Sequence, residues 1–128
     1  MDYYAKDRFD RIEIPKLYVD LVNQVFEIEE KVKLISYENS ISNNIAKIKN
    51  ILDYEYIETA TGLNISITYH NPIGEKYNET RTDCEAHIVG DSPEDLYISE
   101  VIKPIIRAKK NNVTSIIQKA VVIAKTKK

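Results

Sequence analysis

Among 128 residues the chain has three glycines, one cysteine and no tryptophan. With so few glycines, phosphate-cradling loops of the GxGxxG or GxxxxGK kind are excluded. One cysteine leaves no intrachain disulfide framework, and a reducing cytoplasm is the expected compartment. No apolar run approaches the roughly 20 residues that span a bilayer. The start, Met1-Asp2-Tyr3-Tyr4, is too polar for a signal peptide, so no membrane is expected as a partner. Charge of one sign is also missing: a formal net charge of −2 gives no pull toward nucleic acid, and none is expected as a partner.

What remains is the composition of one ordinary globular domain, 43% apolar and 30% charged. Pro15 suits the first turn of a helix, where its missing N–H costs nothing. From there Ile14, Tyr18, Leu21, Val25, Ile28, Val32 and Ile35 recur at alternating spacings of four and three, a heptad pattern. Leu17, Val22 and Phe26 widen the stripe. Asn39 or Ser40 can cap a second helix carrying Ile41, Ile45, Ile48 and Leu52. Two such helices bury little alone, so the pattern points to a homodimeric four-helix bundle with Tyr18, Leu21, Val25, Ile28, Val32, Ile41, Ile45, Ile48 and Leu52 at its interface. The alternative is that both helices pack on the sheet of their own chain.

After a transitional stretch from Asp53 to Thr61, the period changes to two. Leu63, Ile65, Ile67 and Tyr69 alternate with polar residues, as do Cys84, Ala86 and Ile88. The stretch Leu96–Lys125 holds two long Ile- and Val-rich runs around Lys109-Lys110-Asn111-Asn112, a hairpin signal. Pro104 interrupts the first run, and an edge or a bulge is expected there. Helices first and strands after argue for α+β, with a helical dimerisation region over residues 1–58 and a small all-β module over 59–128. The first 13 residues read as a loose lead-in.

Chemistry-bearing clusters are sparse. Asp83, Glu85 and His87 share one face of a strand, whereas Cys84 and His87 point to opposite faces and cannot share a metal. His70 sits beside a turn and reads as a surface residue. No nucleophilic arrangement is recognisable, so the chain is not expected to be an enzyme, and no metal or cofactor is expected. Arg107, Lys109, Lys110, Lys119, Lys125, Lys127 and Lys128 gather along the hairpin, either as a solvated tip and tail or as a surface for an acidic partner.

Three strings add a resemblance. Gly74-Glu75-Lys76-Tyr77-Asn78 is similar to the Gly-Glu-x-Phe-Asp segment of the GrpE-type nucleotide exchange factors of DnaK chaperones. Ile98-Ser99-Glu100-Val101-Ile102-Lys103-Pro104 resembles that family's Val-Val-Glu-Val-Leu-Arg-Pro strand, and Ile117-Gln118-Lys119-Ala120-Val121-Val122 its Ile-Arg-Pro-Ala-x-Val ending. The family's long N-terminal stalk has no counterpart, and Ile105-Ile106 stands where Gly-Tyr is usual. The resemblance implies a co-chaperone that binds a DnaK-type chaperone's nucleotide-binding domain and promotes ADP release. It places Ile102, Val122 and Ala124 near the partner, with Pro104 as a landmark. Tyr77 and Arg81 join them on physical grounds, being of the types enriched at hot spots. The second reading is a dimeric adaptor or structural protein of the same architecture without exchange activity.

Overall fold

The computed structural model describes residues 3–5, 13–35 and 40–127. It is α+β, with three helices and nine strands among the described residues. The chain opens with β1 (Tyr3–Ala5) paired antiparallel to β2 (Glu13–Pro15), where a loose lead-in is expected from sequence. Helix α1 (Lys16–Val32) starts directly after Pro15. Helix α2 (Ile41–Ile51) follows, with Ser40 at its N-cap but without a side-chain capping bond; Asn39 lies outside the described residues.

The transitional stretch is in fact a helix, α3 (Tyr54–Thr61). Asp53 caps it by accepting the Glu55 N–H, and Gly62 ends it in the left-handed conformation at φ 76°. Apolar periodicity gives no sign of α3 because, among its residues 55–61, Ile57 alone is buried.

Strand β3 (Ser66–His70), the short β4 (Lys76–Tyr77) and β5 (Cys84–Val89) come next. The expected hairpin is present, but it is divided into β6 (Leu96–Lys103), β7 (Ile105–Lys110), β8 (Val113–Gln118) and β9 (Ala120–Thr126). Its turn is Asn111-Asn112, as expected. One arm breaks at Pro104 and the other opposite it at Lys119. Pro104 cannot donate to a ladder, and a register shift beside Ile106 adds a bulge, so the ribbon bends there and passes from one sheet to another. Its far half joins β3 in the order β3-β7-β8, and its near half forms β4-β6-β9-β5. All pairings in these two sheets are antiparallel except β5 with β9.

The bend creates two cores. Ile105 and Ile106 are both fully buried, yet they face different clusters. Ile106 joins Ile67, Ala108 and Ile117 of the three-stranded sheet against Ile14, Val19, Val22, Leu52 and Ile57. Ile105 joins Leu96, Ile98, Ala120, Val122 and Ala124 inside the four-stranded sheet. The first cluster therefore runs across the expected boundary between residues 58 and 59. Gln118 fastens the helices to the bend: its amide pairs with that of Asn23 on α1 at 2.9 Å and donates to the Pro104 carbonyl at 3.0 Å.

Candidate functional site

The four-stranded sheet has one face turned to its core and one to solvent. Register fixes which residues lie outside: Tyr97 is opposite Lys125, Glu100 opposite Ile123, and Lys103 opposite Val121. On the edge strand, Glu85, His87 and Val89 pair with Val121, Ile123 and Lys125. The outer face therefore carries half-exposed apolar residues (Tyr97, Val121, Ile123) among charges of both signs. An apolar centre with a polar rim is the usual anatomy of a protein-binding patch. Bulges between Ile98 and Glu100 and between Val101 and Lys103 interrupt β6, and the second leaves Ile102 53% exposed.

A belt of charges stiffens this face from the side. Arg81 donates from Nε to Asp83 Oδ1 at 2.9 Å and from Nη2 to Oδ2 at 3.1 Å. Its Nη1 donates to Glu75 Oε1 at 3.2 Å and to the Lys76 carbonyl at 3.0 Å. Arg107, on β7 of the other sheet, donates to Asp83 Oδ2 at 3.2 Å. His70 of β3 contacts Glu75 through Nε2. The belt thus ties the two sheets together beside the bend. The Arg81 guanidinium, against some desolvation, holds the Asp83 carboxyl below its ordinary value.

A second cluster joins the helices to β3. Glu29 accepts from Lys49 Nζ at 2.9 Å and from the Tyr69 hydroxyl at 3.3 Å, while the Lys49 ammonium lies 4.9 Å from the Tyr69 ring centroid. Phe26 meets the same ring edge-on. Burial raises the Tyr69 pKa, and the Glu29 charge adds to it. Each cluster joins two parts of the fold: the first links the two sheets, and the second links α1 and α2 to β3.

The residues expected to meet a partner fare differently. Ile102 is on the surface. Val122 and Ala124 are fully buried, which corrects the expectation for them: β9 lies between β6 and β5, so its even-numbered residues point into the core. Pro104 is buried at the bend. Tyr77 is 9% exposed and packs in the same core, so it anchors the β4 loop instead of projecting from it. Arg81 is spent on the belt. Val121 and Ile123, the odd-numbered neighbours of the buried pair, are the residues of β9 that face outward. The small residues Ala120 and Ala124 were the available signal, because they mark the tightly packed face of that strand.

Of the residues expected at a dimer interface, Val25, Ile45 and Leu52 are buried within the single chain. The residues of α1 buried within the single chain are Val19, Val22, Val25 and Phe26, of which only Val25 belongs to the heptad stripe. Leu21, Ile28 and Ile41 stay 47%, 45% and 40% exposed, and Tyr18, Val32 and Ile48 are intermediate.

Cys84 is buried and His87 exposed on β5, and burial pushes the Cys84 thiol up to about 11. Among the described residues no three His, Cys, Asp or Glu side chains converge on a metal position, and no helix is long and apolar enough to cross a membrane. Comparison with family models, curated proteins and solved structures finds no match to this chain.

Proposed function

We propose that the chain acts by binding another protein, and that the partner is the nucleotide-binding domain of a DnaK-type chaperone, from which it promotes ADP release. One observation carries this reading. The three strings that resemble GrpE-type factors are far apart in sequence, yet they fall on β4, β6 and the β8–β9 passage, and β4, β6 and β9 are consecutive neighbours in one sheet. The strings thus lie side by side in one sheet, as the parts of a single module do.

The mechanism is a shift of population. A module that binds the opened chaperone better than the closed, ADP-tight form draws it toward release. Moving the balance from 1:99 to 99:1 takes about 5.5 kcal/mol of differential affinity, within reach of an interface of roughly 1,600 Å². On this chain Ile102, Val121 and Ile123 are the apolar groups positioned to supply it. The module is cytoplasmic and works as a homodimer, whose helical seam uses Leu21, Ile28 and Ile41, apolar groups that the single chain leaves exposed.

Release of fluorescent ADP from chaperones of the source organism tests the reading. Acceleration by this protein, lost when Ile102 is changed to Glu, is the expected result; no acceleration and no complex on a sizing column would overturn it. The internal use of Tyr77, Arg81, Val122 and Ala124 favours a second reading, a dimeric adaptor of the same architecture without exchange activity. That reading expects a dimer but no effect on ADP. Light scattering that finds only a 14.8 kDa monomer counts against the dimer in both.

A further inference from the structure

A cleft of about 360 Å³ opens at one end of the four-stranded sheet, lined by Gly74, Lys76, Asp95, Leu96, Tyr97 and Lys127. Two of its walls are left-handed backbone, Gly74 at φ 81° and Asp95 at φ 54°. Such a conformation is costly for a residue other than glycine and is kept where the surroundings fix it. Here the Asp95 carbonyl accepts the Lys127 N–H at 2.9 Å, which closes that wall.

Register lines up the polar groups. Lys76 on β4 is opposite Tyr97 on β6, and Tyr97 is opposite Lys125 on β9, so the three residues form one row on one face of the sheet. Lys76, Lys125 and Lys127 are exposed, and among the described residues none forms an ion pair. The lining itself sets two cations, Lys76 and Lys127, against the one Asp95 carboxylate, on a chain whose formal net charge is −2. Such a cleft selects an anionic ligand.

Its remaining features choose among anions. Alternate side chains of an extended peptide stand roughly 7 Å apart on one side, a spacing that flexible lysine stems on neighbouring strands can meet. The Asp95 carboxylate can accept a backbone N–H, which a peptide offers and a phosphodiester backbone lacks. Tyr97 is a single ring, whereas single-stranded nucleic acid is held by a succession of stacking platforms. We propose that this cleft binds an extended acidic peptide segment, with carboxylates at alternate positions on Lys76 and Lys127, the intervening side chain turned away and the peptide backbone lying across Tyr97. The proposal does not depend on the chaperone reading, since the cleft lies at the β4 end of the sheet and not at Ile102.

Fluorescence anisotropy with the full chain and a fluorescein-labelled Glu-Val-Glu-Val-Glu peptide tests it. Saturable binding is expected, weakened by added salt because the charges are exposed. The double variant K76E/K127E should bind about tenfold or more weakly, and K76Q/K127Q should be weakened less. K109E, a charge change at the distant hairpin tip, should bind as the parent does. Far-UV circular dichroism checks that the variants fold. No saturable binding, equal binding of Gln-Val-Gln-Val-Gln, or unchanged affinity in K76E/K127E overturns the proposal. Tighter binding of an oligothymidylate than of the acidic peptide also overturns it, by making the cleft a nucleic-acid site.

Discussion

Replacing Asp83 by Asn removes the centre of the charge belt while keeping its shape. Asp83 accepts three guanidinium N–H groups, two from Arg81 and one from Arg107. Asn keeps one oxygen and presents an amide that donates toward groups that also donate. Exposed pairs contribute about 0–1 kcal/mol, and stripping one partner from a buried pair costs about 3–5 kcal/mol. The Asp83 and Arg81 side chains are each 19% exposed, and Arg107 is 33% exposed. That intermediate setting leads to an expected loss of about 2 kcal/mol at pH 7, equivalent to roughly 6–10 °C in Tm for a domain of this size. Urea unfolding followed by far-UV circular dichroism measures it. The pH dependence sharpens the test. Because Arg81 lowers the Asp83 pKa in the folded state, its contribution is present above the unfolded value of about 3.9 and disappears as pH falls through the folded value. The gap between parent and variant should therefore begin to narrow below about pH 4 and close only below the folded-state value. A gap under about 0.5 kcal/mol at pH 7, as for an ordinary surface pair, or a gap that persists unchanged in acid, would refute the reasoning.

Three further outcomes follow from the packing. Ile106→Ala should cost about 2–5 kcal/mol in denaturant, whereas Ile102→Ala should stay within about 0.5 kcal/mol, since one is fully buried and the other 53% exposed. Asn111 turns the hairpin at φ 57°, so Asn111→Val should lower Tm through a strain of about 1–2 kcal/mol, with Asn111→Gly as the tolerated control. With its thiol pushed up to about 11, Cys84 should react with iodoacetamide at pH 8 at least about a hundredfold more slowly than an ordinary thiol, and readily in urea. Fast labelling of the folded protein would contradict the burial that causes the shift.

How much was legible in the sequence varies by element. The hairpin, its Asn-Asn turn, the interruption at Pro104 and the α+β order follow from local chemistry: period two, turn residues, and a proline without an N–H. Helix α1 was equally plain, but its inward face was not. Many of its residues are apolar around most of the circumference, so periodicity alone could not choose between the stripe of Leu21 and Ile28 and that of Val19, Val22 and Phe26. Arg81 could be singled out as a residue type that binds, but nothing local to it announced that Asp83, Glu75 and Arg107 would take up its donors.

The sequence by itself determined the first two helices, the main strands and the one place where the long ribbon must give way. Only the tertiary structure decided what the bend does: it sends Ile105 and Ile106 into separate cores and makes β9 an interior strand. A strand's alternation says that two faces differ, and neighbours from distant parts of the chain say which is inside. That is why Val122 and Ala124 belong to the core, and why Val121 and Ile123 lie on the outer face.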